Sequence, residues 1–202
     1  MLFAASGAGA DPGSSPGGDR EAGAEVYAGC AVCHGDDGTG RADGTFPRIA
    51  GQHASVVAKQ IEDIRSGARS NPIMASHIEM LTDPEEVADV AAYVAALSPD
   101  PASATGERSA VGATERGAEL YARDCRRCHG DRGEGSAERA VPVVAGQHSA
   151  YLLRQLRAIA GSRRRNAHPH MVEAVFDYPD ADLRALSEYL AALAWPPTTT
   201  EP

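Results

Sequence analysis

The chain of 202 residues carries 28 acidic and 19 basic side chains, a formal net charge of −9, and only 5% aromatic residues. An acidic chain without a basic groove or an aromatic platform excludes nucleic-acid binding, and it holds no run of about 18 apolar residues that would span a bilayer. The charge is uneven: residues 1–100 hold 6 basic and 15 acidic side chains, net −9, and residues 101–202 hold 13 of each, net zero.

In chain order, residues 1–19 read as a leader. Met1-Leu2-Phe3-Ala4-Ala5 lacks a basic start, but Ala8-Gly9-Ala10 has the small-x-small form of a signal cleavage site, so a flexible Gly, Pro and Ser leader or the remnant of an export signal is expected here. A first helix is predicted from about Glu21 into Cys30-Ala31-Val32-Cys33-His34. A middle helix from about Ser55 to Arg65 carries Val56, Val57, Ile61 and Ile64. After Pro72-Ile73-Met74, a last helix opens at Thr82-Asp83-Pro84-Glu85-Glu86, which supplies a capping side chain, an early proline and first-turn carboxylates. It aligns Val87, Val90, Val94 and Leu97 at i, i+3, i+7 and i+10, one apolar face.

Residues 99–112, rich in Pro, Ser, Ala and Gly, read as a linker. The pattern then starts again. A shift of 95 residues places Cys30 on Cys125, His34 on His129, Pro47 on Pro142, Gly51-Gln52-His53 on Gly146-Gln147-His148 and Gln60 on Gln155. Upstream the offset is 94, from Gly23-Ala24-Glu25-Val26-Tyr27 to Gly117-Ala118-Glu119-Leu120-Tyr121, so the second copy has one extra residue before Cys125. Downstream it is 96, from Val87 and Leu97 to Leu183 and Leu193. Matched helices with small length changes in loops describe a tandem duplication. The predicted organisation is all-α, with domains at 20–98 and 113–196 and a tail at 197–202. No stretch alternates with period two for long enough to form a sheet.

The four cysteines fall in Cys30-Ala31-Val32-Cys33-His34 and Cys125-Arg126-Arg127-Cys128-His129. A cysteine pair at this spacing can add across the two vinyl groups of a porphyrin, and the adjacent histidine then lies beneath the iron as the proximal ligand. A zinc site would draw its ligands from both motifs together, and a redox dithiol has no use for the histidine. Two complete motifs with no cysteine left over point to two covalent c-type haems. They also supply apolar bulk to units of about 80 residues, whose cores would be marginal without it.

The distal ligand decides between carrier and enzyme. Met74 in Pro72-Ile73-Met74 and Met171 in Pro169-His170-Met171 occupy matched positions and are the expected distal ligands. Met80 competes in the first copy but has no counterpart, since Asp177 precedes Tyr178 in the second. His77, His168 and His170 are close enough in sequence to serve instead, and His168-Pro169-His170 leaves the second iron open to either thioether or imidazole.

The chain resembles the dihaem cytochromes of the c4 type, two class I cytochrome c domains in one polypeptide. The resemblance rests on Cys30 to Gly35 and Cys125 to Gly130, on Phe46-Pro47-Arg48-Ile49-Ala50-Gly51-Gln52 and Val141-Pro142-Val143-Val144-Ala145-Gly146-Gln147, on the Pro-x-Met pairs, and on closing helices with Ala91-Ala92-Tyr93 and Ser187-Glu188-Tyr189. It implies haem attachment at Cys30, Cys33, Cys125 and Cys128, and iron ligation by His34 with Met74 and by His129 with Met171. It also implies that the carbonyls of Pro47 and Pro142 accept the Nδ1 hydrogens of the proximal imidazoles. The Gly-Gln-His segments are expected at a haem edge or between the domains, with His53 and His148 as exposed residues at helix starts. Tyr178 departs from the family by standing where an aliphatic residue is usual.

The resemblance further implies a periplasmic electron carrier that is not itself an enzyme, with redox proteins as donor and terminal oxidase or reductase as acceptor. Its membrane association, if any, is peripheral. The rival reading is a dihaem enzyme of the peroxidase or thiosulfate-oxidising type, or the electron-transfer subunit of a larger oxidoreductase. Arg163-Arg164-Arg165 is expected to place positive charge near the distal side of the second haem, with Asp36, Asp37 and Asp43 around the first motif. Such asymmetry steers unlike partners to the two haems.

Overall fold

A computed structural model describes residues 17–98 and 115–196; the predicted linker, the tail and the leader before Gly17 lie outside the described residues. The first half holds α1 (Arg20–His34), α2 (Ala54–Arg65), α3 (Pro72–Ile78) and α4 (Pro84–Ala96). The second holds α5 (Glu115–Leu120), a π-helical turn (Tyr121–Cys125), α6 (Arg126–His129), α7 (Ser149–Ala160), α8 (Pro169–Val175) and α9 (Asp180–Ala192). The described residues form no strand, only an isolated bridge between Ser136 and Val141.

The helix starts follow from local chemistry. Asp19 caps α1 by accepting from the Glu21 and Ala22 amides. Asp83 and Glu86 form a reciprocal capping box on α4, with Pro84 in its first turn, as the sequence predicts. The segments carrying Met74 and Met171 are themselves short helices of 7 residues, each opened by a proline. Pro72 and Pro169 lose no hydrogen bond there, because the first helical amides have no partner within the helix.

In each half the first helix crosses the last at a glycine. A methyl group on Gly23 would lie 2.1 Å from the Asp89 carbonyl oxygen, and one on Gly117 would lie 2.3 Å from that of Ala185. Just beyond the crossing, Tyr27 packs on Tyr93 at 5.1 Å and Tyr121 on Tyr189 at 5.5 Å. The tyrosine hydroxyls donate to the carbonyls of Gly35 and Gly130, each at 2.7 Å. One core gathers Tyr27, Ile61, Ile64, Val90 and Val94; the other gathers Leu120, Leu152, Leu156, Leu186 and Leu190.

The extra residue before Cys125 does not lie in a loop. Gly117 and Tyr121 hold one end of the helix against α9, and the Cys125 to His129 motif holds the other. The surplus between them is taken up as one wide π turn, so that Arg123-Asp124 stand where the first copy has Gly29.

The two halves meet through reciprocal contacts. The Gln52 carboxamide donates to the Val143 carbonyl (3.0 Å) and accepts from its amide (2.9 Å). Gln147 does the same with Arg48, at 2.8 and 3.0 Å. His53 Nε2 donates to the Glu134 carbonyl and His148 Nε2 to that of Thr39, both at 2.8 Å. These histidines are half-buried donors between the halves rather than the exposed residues expected, because each helix start faces the other half. The Gly-Gln-His segments thus lie between the domains.

The arginine run is also placed differently from expectation. Arg164 is half-buried between the halves, where its guanidinium reaches Gln60, Gln155 and Asn166, and Arg165 donates to the Gly67 carbonyl at 2.8 Å. Part of its charge is therefore directed at the other half instead of at solvent.

Candidate functional site: two matched haem-binding motifs

Cys30 and Cys33 lie one turn apart in the last turns of α1, with His34 closing the helix. Cys125 ends the π turn, and Cys128 and His129 lie on α6. No disulfide joins any two of the four cysteines. Burial pushes the Cys30 thiol up, with the neighbouring Cys33 adding to it, and burial followed by the Asp124 charge pushes Cys125 up to about 12. A nucleophilic or redox dithiol needs the opposite shift toward thiolate. Among the described residues no three His, Cys, Asp or Glu side chains converge on a metal-sized site, so the two motifs do not combine into a zinc centre.

The imidazoles are oriented from behind. His34 Nδ1 stands 3.0 Å from the Pro47 carbonyl and His129 Nδ1 3.1 Å from that of Pro142. A carbonyl only accepts, so each Nδ1 carries the proton and each Nε2 keeps its lone pair. Burial lowers the pKa of both rings, which favours the neutral form that can ligate a metal. The loop between histidine and proline is closed by a glycine. Gly40 (φ 72°) donates to the His34 carbonyl at 2.8 Å, and a methyl group on it would lie 2.5 Å from the carbonyl oxygens of Phe46 and Pro47. Gly135 repeats this with His129 and Val141. The left-handed backbone and the close approach both require glycine there.

Met74 is partly buried against the same apolar cluster as Cys30, and Met171 against the same cluster as Cys125. Met80 is 74% exposed. His77, exposed, has Nδ1 3.0 Å from the Ile73 carbonyl. His168 caps α8 by accepting from the His170 amide, and His170 pairs with Glu173 at 3.1 Å. Cys30 and Met74 thus share one core and Cys125 and Met171 the other, while Met80, His77, His168 and His170 are exposed.

Sequence reasoning missed Arg48 and Trp195. Arg48 is 7% exposed and its guanidinium stacks on Trp195 at 4.4 Å. Arg48 Nε and Trp195 Nε1 are the buried side-chain polar atoms without a partner among the described residues. Buried unsatisfied donors are costly. Here, next to the proline that orients His34, they fit a cofactor that brings its own carboxylates.

A tandem all-helical fold with two such sites defines a dihaem c-type cytochrome. The cytochrome c family profile matches residues 20–98 and 114–194. The chain is 40% identical to the thiosulfate dehydrogenase electron acceptor of Stutzerimonas stutzeri over 80% of this chain and 77% of that one. It is 31% identical to the cytochrome c4 of Azotobacter vinelandii over 87% of this chain and 90% of that one. The crystal structure of reduced recombinant cytochrome c4 from Pseudomonas stutzeri superposes with a TM-score of 0.75 at 28% identity, covering 88% of this chain and all of that one.

The chain belongs to the cytochrome c family, in the dihaem arrangement of the c4 type. It carries two covalently bound haem c groups, and its function is electron transfer between redox partners. No helix among the described residues is long and apolar enough to cross a membrane.

Proposed function

We propose that this cytochrome accepts electrons from a thiosulfate dehydrogenase in the periplasm and passes them on to a terminal oxidase of the respiratory chain. In this reading Cys30, Cys33, Cys125 and Cys128 would form the thioethers, His34 and Met74 would ligate the first iron and His129 and Met171 the second, which would leave neither iron a position for substrate. When bound, each iron supplies a reversible one-electron couple whose potential is raised by a thioether ligand relative to a second imidazole.

The observation that carries the reading is the matched set in both halves. A proline carbonyl fixes the free Nε2 of the histidine, and a partly buried methionine packs on the cluster that also holds the first cysteine. The histidines that compete with Met171 are engaged at the exposed end of α8. The thiosulfate-linked donor is supported by the Stutzerimonas stutzeri relative, named as an electron acceptor of that enzyme. The same relationship accommodates a permanent subunit as well as a free shuttle.

Optical and EPR spectra of the ferric and ferrous protein test the ligand set. Two low-spin haems with a methionine-sulfur charge-transfer band are expected; M74A and M171A should each open one iron and lower its potential. A high-spin haem in the native protein, or ready binding of peroxide, would overturn the pure-carrier reading. Mixing the ferric protein with thiosulfate and a thiosulfate dehydrogenase, and following haem reduction by stopped flow, tests the donor. Reduction no faster than with the enzyme omitted rules that partner out.

A further inference from the structure

The π turn places Asp124 where the first half has no equivalent side chain. The Tyr178 hydroxyl donates to Asp124 Oδ2. The same carboxylate oxygen accepts from Arg123 Nε at 2.8 Å, and Arg123 also donates to the Tyr178 hydroxyl at 3.1 Å while lying over its ring at 5.8 Å. Tyr178 and Asp124 are both partly buried. Tyr178 packs on the cluster that includes Cys125 and Met171.

These residues add a polar tie between two pieces that already share an apolar cluster. Asp124 immediately precedes the cysteine at the end of the π turn. Tyr178 lies in the short connection between α8, which carries Met171, and α9, its amide turned back to the Val175 carbonyl at 3.2 Å. In the first half Leu81 holds Tyr178's position and Gly29 that of Arg123-Asp124, where an added methyl group would touch nothing within 4 Å. That connection is held instead by an exposed Arg65 donating to the Leu81 carbonyl at 2.9 Å.

We propose that Asp124 and Tyr178 are positioning residues. They latch the Met171 segment to the Cys125 helix, so that the second iron's methionine is displaced less readily than the first's. This rests on Met171 being the distal ligand. The inserted residue supplies an ionised acceptor to a hydroxyl on the connection between α8 and α9, and such charge-assisted bonds are stronger than neutral ones. Opening the second iron then requires breaking the latch, whereas opening the first does not.

The test uses the ferric dihaem protein titrated with imidazole. Paramagnetic proton NMR follows the two coordinated-methionine signals, which M74A and M171A assign to their haems. Y178F, which keeps the ring, and D124N, which keeps the shape, should each raise imidazole affinity at the second haem about tenfold, the effect of weakening one charge-assisted hydrogen bond, and leave the first unchanged. Unchanged affinity at the second haem, or an equal rise at both, overturns the latch. If M171A leaves both methionine signals in place, the ligand assignment itself fails and the latch falls with it.

Discussion

Gln52 and Gln147 each insert a carboxamide into the opposite half and complete that half's backbone, Gln52 at Val143 and Gln147 at Arg48. Both side chains are buried, at 8% and 5% exposure. Each therefore satisfies a buried amide and carbonyl that no water would reach easily. Replacing either with alanine orphans both groups and should cost about 1–3 kcal/mol. Denaturant unfolding of Q52A and Q147A should show similar losses; a loss confined to one of them would show that the reciprocal geometry is not matched in energy.

Gly23 and Gly117 set the distance between the first and last helices. With alanine at either, the methyl group would stand well inside contact distance of a backbone carbonyl. The helices must separate, and overpacking of this kind costs about 1–3 kcal/mol or more. G23A and G117A should lower the unfolding midpoint and the yield of haem-loaded protein, while alanine at Gly29, where the space is open, should do neither.

Acidification should weaken the contact between the halves. Burial, reinforced by Arg48, holds His148 below its ordinary value of 6.5, against the opposing effects of its bond to Thr39 and the charge of Asp43. The folded state then binds fewer protons than the unfolded one. The stabilisation is fully present above the ordinary value and is lost as pH falls through the lowered folded value. Unfolding midpoints between about pH 7.5 and about pH 5 should fall more steeply for the native protein than for H148Q. Parallel profiles would remove His148 from the effect.

Arg69 and Arg164 share both amide oxygens at the centre of the interface. Arg69 donates to Gln60 at 2.7 Å and Gln155 at 3.3 Å; Arg164 donates to each at 3.0 Å. Burial, and then the like charge of Arg69, push Arg164 down to about 10. Removing one guanidinium breaks hydrogen bonds and also relieves repulsion. In a double-mutant cycle, R69Q with R164Q should cost less than the sum of the two single changes; simple additivity would refute the coupling.

Much of this was legible in the residues. The cysteine spacing, the 95-residue shift and the apolar face of α4 are local or periodic signals, and Asp83-Pro84-Glu85-Glu86 announces its helix directly. Beyond the Gly-Gln-His segments, expected at a haem edge or between the domains, the relation of one half to the other was not legible, because it depends on how two surfaces meet. Nothing local distinguishes an exposed histidine at a helix start from His53 reaching the Glu134 carbonyl, or a solvated arginine run from Arg164 between two glutamines. The repeat did contain a signal: Gln52, Gln60 and His53 recur at Gln147, Gln155 and His148, and polar residues repeated in both copies mark a shared face. The surplus residue before Cys125 was countable, but its absorption as a π turn follows from contacts that pin both ends of the helix.

The exchange of Gln52 and Gln147 has the self-complementary form of an interface between two identical subunits. Identical subunits must change together, because every substitution appears on both sides of the axis. Once both copies share one chain, each evolves alone while the glutamines keep the pair assembled. The one extra residue that puts Arg123-Asp124 in place of Gly29, and Tyr178, are present on one side only, a divergence that a symmetric dimer has no means to encode.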